Sequence, residues 1–154
     1  MEFNKELILA YQKNSGDFLM IDYATEVLPG KSAKGYKLLP DNLWFFKLHW
    51  PGDPNMPGVL QIESMTQLCS LAILSLPGLK GETMYLLKIN NVRFFSKVLP
   101  EKKLELETHV KSFNRGIADC HGIGHQGDKK VCSADFSMML AKFKDKIITP
   151  QKCQ

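Results

Sequence analysis

The sequence predicts an α+β fold, an antiparallel sheet curled around one long buried helix. Three observations carry this expectation. Residues 58–76 form an apolar run with no helix breaker, closed by Pro77-Gly78. Four strand-like segments follow it with no helix between them, as consecutive antiparallel strands do. Two more strand-like segments precede it, one of them rich in lysine on one face.

Taken in order, residues 5–13 read as a short N-terminal helix and Ser15 to Asp17 as a break. Phe18 to Leu28 reads as the first strand, Pro29-Gly30 as a turn, and Lys31 to Leu39 as the second strand. Residues 40–58 mix prolines with aromatic side chains that want burial, which predicts a long ordered loop. The helix from Gly58 to Leu76 spans 19 residues, about 28 Å at 1.5 Å per residue. It is apolar around most of its circumference and is expected to be buried on most sides. Four strands come next, at 84–95, 103–113, 116–126 and 130–143, with Gly127-Asp128 closing the last pair as a tight hairpin. In the second of them Leu104 and Leu106 alternate with Glu105 and Glu107, the pattern of a half-wet antiparallel strand.

The chain of 154 residues has the length of one domain. Its 44% hydrophobic and 23% charged content speaks against a disordered or fibrous chain. A net charge of +4 favours acidic partners only weakly and does not argue for nucleic acid. The run from Val59 to Leu76 carries Gln61, Glu63, Thr66 and Gln67, so no membrane span is expected. No secretory leader is read at the N-terminus, and Cys69, Cys120, Cys132 and Cys153 show no C-x-x-C spacing. Reduced thiols and a cytoplasmic setting are the expectation.

The chemically informative stretch is WFFKLHWPGDPNMPGVLQIESMTQ, Trp44 to Gln67. It places His49 in a proline-fixed loop, Pro57-Gly58 at a helix start and Glu63 inside an apolar helix. Histidine can take a proton near pH 7. A carboxyl in apolar surroundings holds its proton longer and can give one away. The N–H groups at a helix start stabilise negative charge on a carbonyl oxygen, and Gly58 lets that backbone approach a substrate. Base, acid and oxyanion site together suit elimination of water beside an activated carbonyl. Each has a plainer reading too: a structural histidine, a conformational proline, a glutamate facing a wet gap or a subunit boundary.

HWPGDPNMPGV followed by QIESMTQ resembles the active-site signature of the 3-hydroxyacyl-[acyl-carrier-protein] dehydratases, with the acid fourteen residues after the histidine. Glu63 in place of aspartate resembles the FabZ branch more than the FabA branch. YLLKINNVRF and SFNRGIADCHGIGHQGDKKVCSADFSMML are similar to the family's later strands. The likeness covers roughly residues 17–143. It implies a hot-dog fold, here expected as a single domain over residues 1–154. It also implies homodimers, commonly three to a hexamer, with active sites at the dimer boundary.

By the same resemblance, His49 removes the C2 proton of a (3R)-3-hydroxyacyl thioester and the Gly58 N–H holds its carbonyl. Glu63 from the other chain assists loss of the 3-hydroxyl, giving the trans-2-enoyl thioester. Gln67, one turn along the helix, orients Glu63. Val59, Phe46 and Tyr85 are expected at the substrate, Tyr85 as a gate to the acyl tunnel or else as a core aromatic. Arg93, Lys97, Lys102 and Lys103 are read as a docking patch for an acidic acyl-carrier protein, or as a solvated edge. The reaction asks for no cofactor and no metal. The chain departs from the family at Leu48, where glycine is usual, at Trp50, where phenylalanine is usual, and at KNSGDFLMID, which replaces the usual N-terminal run.

Two other signals are set aside. Gly122 to Gly127 spells G-x-G-x-x-G but runs into a hairpin with no helix following. His109, His121 and His125 with Cys120 suggest a metal set, but His121 and His125 lie four apart on an expected strand, about 13 Å, too far for one ion. The rival functions are an acyl-thioester thioesterase on the same fold and a non-catalytic acyl-binding subunit. Release of free thiol separates the first from a dehydratase, and absence of turnover the second.

Overall fold

A computed structural model describes residues 1–143, so Cys153 lies outside the described residues. Helix α1 spans Lys5–Tyr11, shorter than expected, and is capped by the Asn4 side chain, which accepts from the Leu7 N–H at 2.9 Å. A single 3-10 turn, Gly16–Phe18, follows. The first strand therefore begins at Tyr23 and not at Phe18. The strands are β1 (Tyr23–Leu28), β2 (Ser32–Lys37), β3 (Met84–Phe94), β4 (Leu104–Asn114), β5 (Ile117–Gln126) and β6 (Lys129–Leu140). The loop between β2 and the long helix is not all irregular: it contains a five-residue helix, α2 (Trp44–Leu48), whose Phe45 and Phe46 plug into the core. The long helix, α3, runs Gly58–Leu74, two residues short of the expected end.

The six strands form one antiparallel sheet in the order β1-β2-β4-β5-β6-β3. It packs on α3, whose residues are all buried except Gly58, Val59 and Glu63. A helix with apolar side chains on nearly every side needs a wall on nearly every side, and the curled sheet supplies it. Gly35 of β2 shows how close the layers lie. A Cβ there would collide with the Tyr23 carbonyl oxygen and approach Leu68 Cδ1 to 3.0 Å. Since backbone cannot swing aside, Gly35→Ala is expected to lower stability by about 1–3 kcal/mol, read as a lower urea midpoint at unchanged slope.

The two edges of the sheet are treated differently. The β1 edge is covered by the N-terminal residues, with Phe3 and Ala24 exchanging two backbone hydrogen bonds of 2.9 Å. The β3 edge has no such cover among the described residues. It is eleven residues long, and Tyr85, Leu86, Leu87, Ile89 and Phe94 on it are all exposed. A long apolar open edge is a template for another strand.

Beside this edge a polar network ties four strands together. Asp135 of β6 accepts from Asn91 Nδ2 (2.9 Å), Lys111 Nζ (2.9 Å) and His121 Nδ1 (2.7 Å). These hydrogen bonds, Asn91 first, hold its carboxyl well below the usual carboxylate range. The folded state therefore binds this proton less readily than the unfolded chain. The stabilisation is complete above the ordinary carboxylate range and is lost as pH falls toward the folded value. Asp135→Asn is expected to flatten the drop in Tm between about pH 5 and about pH 2, measured by thermal unfolding across that window.

Candidate active site

His49 is the residue that ends α2, and its N–H bonds to the Phe45 carbonyl at 2.8 Å. The chain then reverses in a tight turn. Trp50 and Asp53 exchange two backbone hydrogen bonds around Pro51-Gly52, with Gly52 at φ +75° as such a turn requires. The His49–Trp50 peptide bond is cis. His49 Nδ1 lies 2.7 Å from the Asn55 carbonyl, to which it can only donate. That places the ring proton on Nδ1 and leaves the Nε2 lone pair available as a base. The Trp50 indole stacks on the imidazole, 3.9 Å between centroids. The Asn55 side chain accepts from the Val98 N–H at 3.0 Å, and Met56 N–H bonds to the Val98 carbonyl at 2.9 Å. The loop that carries the histidine is thus sewn to the segment after β3.

Pro57 caps α3 with its carbonyl, which accepts from Leu60 N and Gln61 N. The N–H groups of Gly58 and Val59, in the first turn, have no intrahelical acceptor to reach. The Phe94 ring lies close over Gly58: a Cβ there would fall 2.5 Å from Phe94 Cζ, so the half-exposed ring would have to shift. Gln61, buried behind this turn, donates to the Met56 carbonyl at 2.9 Å and locks loop to helix.

Glu63 is the one residue beyond the first turn of α3 that is not buried. The sequence suggests apolar surroundings for it, but the structure gives it a polar wall. It lines a cavity of about 180 Å³ together with Thr66, Gln67, Ser70 and Leu74 of the same helix face. Gln67 Nε2 donates to Glu63 Oε1 at 2.8 Å. The Gln67 amide is itself fully tied, donating to the Phe18 carbonyl (2.8 Å) and accepting from Met20 N–H (2.8 Å). A carboxylate held by a side chain that cannot turn keeps its orientation.

The other expected site residues fall as follows. Val59 is 74% exposed beside Gly58, with nothing over it in this chain. Phe46 is buried against Phe45, with ring centroids 4.7 Å apart, and so belongs to the core. Tyr85 is exposed on the free β3 edge. Its neighbours Met84 and Leu86 line the cavity with Glu63, and Tyr85, on the alternate face, does not. Arg93 lies on β3, and Lys97 reaches Asp53 of the histidine loop at 2.6 Å. Lys103 instead sits over the Tyr36 ring of β2, four strand positions away from β3 in the sheet order. Lys102 is exposed beside it. His49 does not line the cavity that Glu63 lines.

Asn55, Trp50, Gln61 and Phe94 are placed at the site by the fold, and no spacing in the sequence marks them. The three described cysteines are free and buried. Burial pushes the Cys132 thiol up to about 12, and the hydrogen bond to Cys120, with burial, raises Cys69 well above the ordinary thiol. Such thiols are poor nucleophiles at neutral pH. Among the described residues no three histidine, cysteine or carboxylate side chains gather as metal ligands, and no helix is long and apolar enough to cross a membrane.

A long central helix packed against a six-stranded antiparallel sheet, with a histidine fixed in the preceding loop and a glutamate held on the helix, has the architecture of the hot-dog fold. The chain belongs to the FabA-like family, whose domain model matches residues 13–135. It is 35% identical over 140 residues to the 3-hydroxyacyl-[acyl-carrier-protein] dehydratase FabZ of Wolbachia sp. subsp. Drosophila simulans, covering 91% of this chain and 98% of that one. With FabZ of Pediococcus pentosaceus it shares 38% over 139 residues, 89% and 92% of the two chains. With FabZ of Clostridium novyi the figure is 45% over 93 residues, 60% and 66%. Among solved structures, the dehydratase heterocomplex ApeI:P of Xenorhabdus doucetiae superposes with a TM-score of 0.73 at 11% identity, covering 92% of this chain and 97% of that one. The sigma28-regulated virulence protein Cj0977 of Campylobacter jejuni superposes with a TM-score of 0.62 at 12% identity, covering 83% and 81%. At these identities the superpositions speak to the fold.

Proposed function

We propose that the protein is a cofactor-free hydro-lyase that converts (3R)-3-hydroxyacyl thioesters on an acyl-carrier protein into trans-2-enoyl thioesters, in fatty-acid or related acyl-chain synthesis. The observation that carries this reading is the pairing of two restrained groups of opposite use. His49 has its Nδ1 proton engaged and Nε2 free, and Glu63 is gripped by an immobile amide. The FabZ relatives of Wolbachia and Pediococcus pentosaceus, which align over nearly the whole chain, are named 3-hydroxyacyl-[acyl-carrier-protein] dehydratases.

In the mechanism, His49 Nε2 takes the C2 proton. The C2–H electron pair moves toward the thioester carbonyl, where the Gly58 N–H and the start of α3 hold the growing negative charge. The pair returns to form the C2–C3 double bond as the C3–O bond breaks, and Glu63 gives the departing hydroxyl its proton. One proton is gained by His49 and one lost by Glu63, so the cycle closes when a proton passes from imidazolium to carboxylate.

In this reading each site takes its histidine from one protomer and its acid from the partner, and the absence of His49 from the Glu63 cavity supports it. The open apolar β3 edge supports such a homodimer; a hexamer of three dimers belongs to the same reading. Val59 lies exposed at that boundary, with Tyr85 on the edge strand. Arg93 and Lys97 flank Phe94, whose ring touches Gly58, and they offer positive charge to an acidic carrier near the site. Lys103, over the Tyr36 ring of β2, stands apart from that charge, with Lys102 beside it. The test is a paired assay on a 3-hydroxyacyl carrier thioester, with mass spectrometry for loss of water and a thiol reagent for hydrolysis. Water loss without free thiol is the expected result. Free thiol without water loss would make it a thioesterase, and neither would leave an acyl-binding subunit.

A further inference from the structure

We propose that His109 and His121 form a binding site for a divalent cation of the zinc type, on the face of the sheet turned away from α3. The site does not depend on the dehydratase reading above.

Two independent observations point this way. The first is the register of the sheet. Along β5, His121 and His125 are about 13 Å apart. Across the ladder, His109 of β4 stands directly opposite His121, in a stretch free of bulges. Directly opposed residues share a face and hold their Cβ atoms about 4.5–5.5 Å apart. The alternate positions on these strands, Thr108 and Gly122, are buried. A Cβ on Gly122 would fall 2.8 Å from Met65 Sδ of α3, so the two histidines lie on the opposite, outer face. Their side chains are 50% and 35% exposed, and an ion in solution can reach both.

The second observation is how the rings are held. His109 Nε2 lies 2.9 Å from Glu107 Oε1, and His121 Nδ1 lies 2.7 Å from Asp135 Oδ1. An ionised carboxylate can only accept, so each ring gives its proton there. The lone pairs left over are Nδ1 of His109 and Nε2 of His121. Imidazoles that bind metal are characteristically held in this way, by a carboxylate on the other nitrogen that orients the ring and strengthens the donor. His49, by contrast, has a backbone carbonyl at its Nδ1.

Two imidazole nitrogens, each about 2.0–2.1 Å from a tetrahedral zinc ion, lie about 3.4 Å apart. Rings on neighbouring Cβ atoms reach that span by turning about their side-chain bonds. Water completes the shell, since no third ligand gathers there among the described residues. Imidazole donors suit Zn²⁺, Ni²⁺ or Cu²⁺ and not Mg²⁺. An ion held by both rings ties β4 to β5. Two ammonium groups oppose it, Lys111 at 2.9 Å from Asp135 and Lys34 at 3.9 Å from Glu107.

The test titrates zinc chloride, and magnesium chloride beside it, into the metal-stripped full chain by calorimetry, with thermal melts of each variant. Expected is a zinc-binding event of one ion per chain, with no comparable uptake of magnesium. His109→Gln and His121→Gln should each weaken it by about tenfold or more, while His125→Gln leaves it unchanged. Lys111→Gln, which removes the nearer ammonium, should tighten it. Saturating zinc should raise the Tm of the wild type and not that of the His109 or His121 variant. All of these positions are on the surface, so the variants are expected to fold, and the melts without metal check it. Zinc held equally by the wild type and both histidine variants overturns the site, because the ion then lies elsewhere. Loss in only one of the two overturns the pairing. A wild type that takes up zinc no better than magnesium removes the site altogether.

Discussion

His49→Ala is expected to lower kcat for water loss by about a hundred- to ten-thousand-fold, the usual worth of a positioned general base. The fold should survive the change. His49 is only half-buried, and its side chain makes one hydrogen bond, to the Asn55 carbonyl. Losing that bond costs about 1 kcal/mol of stability, small against the loss of rate. Product formation followed by mass spectrometry, beside a circular dichroism melt, separates the two effects. A His49→Ala enzyme that is well folded and keeps more than a tenth of its activity would remove the histidine from the chemistry.

Glu63→Gln should fall by a comparable factor, again about a hundred- to ten-thousand-fold. The amide has nearly the shape of the carboxyl and can still accept from Gln67, but it has no acidic proton to give. The two variants together test how the site is built. If each site takes His49 from one chain and Glu63 from the other, every mixed dimer holds one intact site and one doubly damaged site. Unfolding and refolding an equal mixture should then recover about a quarter of wild-type activity, since random pairing makes about half of the dimers mixed. A mixture as dead as its components would place base and acid in the same chain.

The parts of this site that could be read from the sequence are the local ones. Pro57-Gly58 before an unbroken apolar run marks a helix start because proline, glycine and the first turn act within a few residues of one another. His49 and Glu63 could be singled out because each is a chemically unusual choice for its segment. The five-residue helix α2 could not be seen, since it is too short to show a period and its prolines read as loop. The late start of β1 escaped for a related reason: Phe18 and Met20 give their backbone groups to the Gln67 side chain, and only Asp22, just before the strand, reaches β2, through its N–H to the Tyr36 carbonyl.

What holds Glu63 in place lay outside the reach of sequence patterns. Gln67 is anchored by Phe18 and Met20, 49 and 47 residues away along the chain. The ring of Phe94 that lies against Gly58 comes from the far end of β3. The polar surroundings of Glu63 follow from the facing direction of Thr66 and Ser70, not from the apolar average of the helix.

By itself the sequence determined the α+β class and the long central helix, and it singled out the two residues proposed as base and acid. Those follow from periodicity, breakers and residue chemistry, all of which act over short spans of chain. The tertiary structure alone decided which tautomer His49 presents, what restrains Glu63, and which edge of the sheet stays open. Each of these is a contact between residues distant in sequence, and such contacts form only when packing brings their backbones together.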